Sequence, residues 1–295
     1  LIYGPVQNDL QLGVDGIKIA AVESASSAGH SVVAAGDTNG DGSPDFLVAA
    51  PYTSNNSGTQ GGSVFLFTEA PTTSSFVSDA QVRFDSEGPY YQAGLGLAGG
   101  ADVDGDGNSD IAIGAPGNGT IAGAVYVMTG SPQGTVSLGD ATAQFHADSP
   151  TAAGYSLALG DYNGDGYADI AVSAYGDDSY GTDAGKVYVL MGDELGLGAA
   201  YSLAYAEYEF FGEDNGDYAG GALAPAGDVD GDGVTDLLIG AYGSDEGGSN
   251  AGRAASRRSS DASRRDSVFV SKLWKSGSPS PAQDAHDAKW ERQAA

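Results

Sequence analysis

Four stretches of the chain share one nine-residue pattern, D-x-[DN]-G-D-G-x-x-D: Asp37 to Asp45, Asp102 to Asp110, Asp161 to Asp169 and Asp228 to Asp236. Their starts lie 65, 59 and 67 residues apart. In the first, Asp37, Asn39, Asp41 and Asp45 each carry a side-chain oxygen, and the carbonyl of Ser43 completes the set. The second offers Asp102, Asp104, Asp106 and Asp110 with the Asn108 carbonyl, and the third Asp161, Asn163, Asp165 and Asp169 with the Tyr167 carbonyl. The fourth offers Asp228, Asp230, Asp232 and Asp236 with the Val234 carbonyl. Several hard oxygens within one tight loop are the donor set that calcium takes, six to eight at flexible geometry. Without a cation, three or four carboxylates would repel one another at close range. Glycines at the fourth and sixth positions let the chain wrap tightly. Each loop therefore reads as a calcium site, about four ions in all, with a structural task. An EF-hand shares the first half of this pattern but needs Glu at position twelve. Here those positions are Val48, Ile113, Val172 and Ile239, so the ninth-position Asp closes the site instead.

The flanks say what positions these loops. Before each loop runs a small, Gly-containing segment: GHSVVAAG, GLGLAGGA, GYSLALG and GALAPAG. After each comes a short apolar one: FLVAAPY, IAIGAPG, IAVSAYG and LLIGAYG. An alternating aromatic and aliphatic run follows in the first three repeats, GSVFLF, GAVYVM and GKVYVL, and a looser segment ends near Phe84, Phe145 or Phe211. That is four short strands per unit of about 60 residues, with turn signals between them and no sustained helical period. A four-stranded repeat of this length is a propeller blade, which buries its faces only against neighbouring blades. The expected fold class is all-β, a β-propeller of four-stranded antiparallel blades. Small residues in the first strand suit the crowded axis.

Segments such as AGYSLALGDYNGDGYADIAVSAYG closely resemble the FG-GAP repeat of integrin α subunits and of many microbial surface proteins, over residues 1–252. The resemblance implies a propeller, usually seven-bladed, with calcium between the first two strands of a blade and a secreted or cell-surface location. It implies an adhesion or ligand-binding module without enzymatic activity, binding a protein or glycan. The alternative is the accessory propeller of a secreted hydrolase or lyase whose catalytic domain lies outside this chain. The expected divisions are a partial blade at 1–28, blades at about 29–93, 94–153 and 154–219, and a partial blade at 220–252. This makes an incomplete or truncated seven-bladed propeller, preferred over a four-bladed ring closed by strands from both termini. In the first partial blade, LIYGP reads as the end of a third strand and Ile17 to Val22 as a fourth. After Gly252 a V-Y-V strand is due, but Arg-rich sequence stands in its place and is not expected to supply it. Residues 253–295 read as a basic low-complexity tail, either a shifted reading frame or junction, or a genuine tail contacting the acidic propeller.

Charge and composition narrow the functions. The 295 residues carry a formal net charge of -28, with 35 acidic and 3 basic residues up to Gly252. That excludes a nucleic-acid binder, which needs a basic face. The 14 loop aspartates explain part of the acidity, and a high-salt habitat fits the rest. With no cysteine, metal stands in for disulfides as the staple. No apolar run is long enough to span a membrane, and the first residues carry no leader features, so a signal peptide is absent or removed. Gly94, Gly96 and Gly99 spell G-x-G-x-x-G, but a loop and strand follow where a dinucleotide site needs a helix. Ser156 in a Gly-Tyr-Ser turn has its counterpart at Ser31, and His30 its counterpart at Tyr155, so both read as structural; His146 and His286 share no motif. A ligand is expected on the face opposite the calcium loops, where Tyr52, Tyr90, Tyr91, Tyr175, Tyr180, Tyr218 and Tyr242 fall in connections. Glycosylation sequons at Asn55 and Asn118 lie in the same connections.

Overall fold

A computed structural model describes residues 16–55, 58–117, 121–192, 200–245 and 252–255. The segment expected at 17–22 supplies β1 (Ile19–Ala20), while the LIYGP strand lies outside the described residues. The first full repeat holds β2 (Val32–Gly36), β3 (Asp45–Ala50), β4 (Ser63–Phe67), β5 (Ser75–Phe76) and β6 (Val82–Asp85). The second holds β7 (Leu97–Ala101), β8 (Asp110–Ala115), β9 (Ala124–Met128), β10 (Gly134–Ser137) and β11 (Ala143–His146). The third holds β12 (Leu157–Gly160), β13 (Asp169–Ala174), β14 (Lys186–Leu190), β15 (Ala200–Ser202) and β16 (Tyr208–Phe211). The fourth holds β17 (Ala219–Gly227), β18 (Asp236–Ala241) and β19 (Arg253–Ala255).

Four strands of each full repeat form the expected antiparallel meander, as in β2-β3-β4-β6. The short strand between the third and fourth leaves its own blade. β10 pairs in parallel with β6 of the preceding repeat, Gly134 opposite Val82 and Ser137 opposite Asp85. β15 does the same to β11, and β5 to β1. Two of the sheets are thus five-stranded, the outer strand donated by the next repeat, which covers an edge that would otherwise present unpaired N–H and C=O groups. A single 3-10 turn follows each donated strand and drives one apolar side chain into the seam: Val77, Leu138 and Leu203, at most 5% exposed.

The middle strands explain the unbroken apolar runs. On β9, Val125 and Val127 pack toward the third blade with Ile170, Val172 and Leu190. The alternate residues Ala124, Tyr126 and Met128 pack toward the first, with Val64, Leu66 and Phe84. A strand sandwiched between two blades buries both faces, so period-two patterning of apolar against polar residues vanishes. The seam between the third and fourth blades repeats this with Val187 and Val189 against Leu237 and Ile239.

The strand expected to fail after Gly252 does form over Arg253–Ala255, pairing with β18 through Ala241 opposite Arg253 and Ile239 opposite Ala255. Pairing uses main-chain groups that any residue supplies, and Arg253 also reaches Glu213 at 3.1 Å. Residues 256–295 lie outside the described part.

Candidate divalent-cation loops

Each loop is folded by its own carboxylates. Asp37 Oδ1 accepts from the Gly40 and Asp41 amides at 2.8 and 3.1 Å, and Oδ2 from the Gly42 amide at 2.8 Å. Gly40 and Gly42 have φ of +73° and +85°, which turns these N–H groups back toward Asp37. Asp102, Asp161 and Asp228 repeat the arrangement toward Gly105 and Gly107, Gly164 and Gly166, and Gly231 and Gly233. The fifth-position carboxylates of Asp41, Asp106, Asp165 and Asp232 accept from the amides of Ser43, Asn108, Tyr167 and Val234 at 2.7–2.9 Å. The ninth-position Asp45, Asp110, Asp169 and Asp236 accept from the amide of the second loop residue at 2.7–2.8 Å.

These bonds use one oxygen of each ninth-position Asp. The second oxygens of Asp45 and Asp110 are buried and meet no hydrogen-bond donor among the described residues. Burial, with Asp104 and Asp102 adding like charge, pushes the Asp110 carboxyl up to about 7. Burial, with Asp165 and Asp161 adding to it, does the same to Asp169, although the Gly192 amide donates to its Oδ1 at 3.0 Å. A buried anion without a partner is costly, and a divalent cation removes that cost. In the second loop Asp102, Asp104 and Asp106, and in the fourth Asp228, Asp230 and Asp236, bring one oxygen each within 4.8 Å of one another. In the first and third loops Asn occupies position three. Its amide bridges to the fifth-position carboxylate, Asn39 to Asp41 at 3.1 Å and Asn163 to Asp165 at 2.6 Å. The donors are all oxygens and fit a hard divalent cation.

The pattern did not reveal that the loops touch. The Ser109 amide donates to the Asp37 carbonyl at 2.8 Å, Ala168 to Asp102 at 2.8 Å, and Thr235 to Asp161 at 3.1 Å. The seventh-position side chain of each later loop lies over the fourth-position glycine of the loop before. Asn108 Oδ1 would stand 2.9 Å from a β-carbon on Gly40, the Tyr167 ring 2.5 Å from one on Gly105, and Val234 3.0 Å from one on Gly164. The second loop residue is sealed beneath this contact: Thr38, Val103 and Tyr162 are 2%, 0% and 0% exposed, whereas Val229 in the fourth loop is 65% exposed.

The opposite ends of the strands gather aromatic side chains. Tyr155, Tyr175, Tyr218 and Tyr242 form a row across the third and fourth blades, with successive ring centroids 4.7, 6.1 and 5.0 Å apart. Tyr180, also exposed, meets Phe211 at 4.1 Å with its ring tilted by 43°, and Tyr90 is exposed as well. Tyr91 packs into the core between the first two blades, and Tyr52 meets His30 edge-on. Ser31 and Ser156 tie neighbouring inner strands together: the Ser31 hydroxyl donates to the Leu95 carbonyl and Ser156 Oγ accepts from the Leu223 amide, both at 2.9 Å. Gly94, Gly96 and Gly99 lead into and lie on strand β7, not a helix. Asn55 donates its side-chain amide to the Gly62 carbonyl at 2.8 Å and to Ser86 Oγ at 3.3 Å, so this side chain helps hold the connection. Asn118 and His286 lie outside the described residues.

A family model described as FG-GAP repeat matches residues 28–67, 93–128, 153–190 and 219–255, together just over half of the chain. The chain is similar to integrin alpha-PS2 of Drosophila melanogaster, 33% identical over 160 residues, which is 50% of this chain and 11% of that protein. It is similar to integrin alpha-4 of Xenopus laevis, 34% identical over 158 residues, 50% of this chain and 14% of the relative. Human integrin alpha-7 is 32% identical over 150 residues, 50% of this chain and 12% of the relative. The aligned part is thus a small fraction of each curated relative.

Proposed function

Because this chain belongs to the FG-GAP repeat family, we propose that it is a calcium-bound, extracellular β-propeller module for adhesion or ligand binding. Four ions sit between the first and second strands of the blades. Their ligands are the side chains at loop positions one, three, five and nine and the carbonyls of Ser43, Asn108, Tyr167 and Val234. The ions neutralise converging carboxylates, rigidify the loops, and hold the blades that carry the opposite face. The observation that carries this reading is the pair of buried, donor-less oxygens on Asp45 and Asp110 inside acidic loops. On the far face, the tyrosine row offers broad, partly exposed rings to a protein or glycan partner. The similarity to integrin alpha chains favours this over the accessory-propeller reading.

The test is a thermal melt of the full chain in calcium and in chelator. A ligand that binds only the folded state stabilises it by RT ln(1 + [L]/Kd), about 4 kcal/mol at a thousandfold excess over Kd for one site. A calcium-dependent rise in Tm of several degrees supports the reading. No shift, with no binding heat by calorimetry, overturns it.

A further inference from the structure

Three main-chain hydrogen bonds recur at one structural position, and each joins two different loops. From them we infer that the calcium loops are a coupled array, in which Ser109, Ala168 and Thr235, with the side chains of Asn108, Tyr167 and Val234, position the first ligand of the loop before. This rests on the calcium reading above.

The bonded carbonyls belong to Asp37, Asp102 and Asp161. The same residues' carboxylates gather the fourth- and sixth-position amides of their own loops. Each loop's folding centre is therefore clamped from outside by the next loop. The clamp comes from positions seven and eight, between the fifth- and ninth-position ligands of the donating loop. An ion that orders those ligands also orders the donor amide, and the neighbouring loop then loses less conformational freedom when it fills. Coupling between sites is reciprocal. Pro44 stands at position eight of the first loop and has no N–H, so that loop accepts a clamp and gives none of this kind. Among the described residues no donor reaches the Asp228 carbonyl, and the exposed Val229 marks the same difference. The fourth loop gives a clamp and receives none within the described residues.

The loops also differ in what holds them before an ion arrives. The first and third brace the fifth carboxylate with Asn39 and Asn163, while the second and fourth set three carboxylates together. Converging charge favours a divalent ion more strongly in the second and fourth loops. Occupation then begins there and passes to the first and third through Ser109 and Thr235.

The experiment is a calcium titration of the full chain followed by hydrogen exchange, read separately over 37–45, 102–110 and 228–236. Asp104→Asn with Asp106→Asn disables the second loop and leaves every first-loop ligand intact. The expected result is a rise of about fivefold or more in the calcium concentration that protects the first loop, the lower end of typical coupling between sites. Protection of the fourth loop, two blades away, stays unchanged and reports that the chain is folded. Tyr167→Ala keeps all carboxylates and the position-seven carbonyl while removing the ring over Gly105. It is expected to raise the second-loop midpoint, with rescue by Tyr167→Phe. First- and second-loop midpoints that do not move in either variant overturn the coupling while leaving the calcium sites standing. No calcium-dependent protection in the unaltered chain overturns the calcium reading and the coupling together.

Discussion

Asp110 accepts the amide of Val103 through Oδ2 at 2.7 Å, while its Oδ1, also buried, meets no donor among the described residues. The carboxyl is 1% exposed as a residue and sits beside Asp102 and Asp104. Asp110→Asn keeps the shape and removes the charge. In chelator the variant is expected to melt at or above the temperature of the unaltered chain, because a buried anion is gone. In saturating calcium it should melt lower, with close to one ion fewer bound by calorimetry. A variant that loses stability equally in both conditions would show that Asp110 serves packing alone.

The pH dependence follows from the same group and from Asp169. Both carboxyls are raised to about 7 in the folded chain against an ordinary value of 3.8. A raised carboxyl pKa means the folded state binds the proton more tightly than the unfolded state does. Its contribution to stability is fully present below about pH 4 and is lost as pH rises through 7. The calcium-free chain should thus lose stability between about pH 4 and pH 7. Calcium must displace those protons, so the difference in Tm between calcium and chelator should widen over the same window. Melts at pH 5, 6, 7 and 8 in each condition check the sign.

Lys186 is the buried cation of the third blade, 8% exposed, 3.7 Å from both Asp177 and Glu209, with its ammonium over the rings of Tyr188 and Phe211. Asp177 is itself 6% exposed. Lys186→Met keeps the stem but strands that carboxylate, which costs about 3–5 kcal/mol in comparable buried pairs. Denaturant unfolding should show the loss, and adding Asp177→Asn should recover much of it.

Leu138 has no exposed surface and plugs the seam between the first two blades at the foot of the donated strand β10. Leu138→Ala should destabilise by about 2–5 kcal/mol. A surface role for the β10 turn would instead leave the midpoint of unfolding within experimental scatter.

The loops were legible because everything that builds them lies within nine residues. An Asp that caps two glycine amides, and another that closes the turn, have to stand at fixed spacings. The meander was legible for the same reason: its strands are neighbours in sequence. What the pattern did not show are features that belong to pairs of repeats. Gly134–Ser137 has no alternation to mark it, and its partner Val82–Asp85 lies in the preceding repeat. The contact of Ser109 with Asp37 is likewise a main-chain bond that any non-proline residue would make. The tyrosines were placed in the right connections, but Tyr91 turned inward while Tyr155, outside the expected set, joined the row. Arg253–Ala255 shows the opposite error, an unpromising composition that pairs because β18 presents a ready edge.

The donated strands also bear on how such a chain comes off the ribosome. Val82–Asp85 can pair with Ser63–Leu66 as soon as both have emerged, but its other edge waits for Gly134–Ser137, most of a repeat later. The first and second full blades are therefore born with one raw side, sealed only by the next repeat. During synthesis this exposed edge moves toward the growing end, and until the next donated strand arrives it is a place where a foreign strand could add.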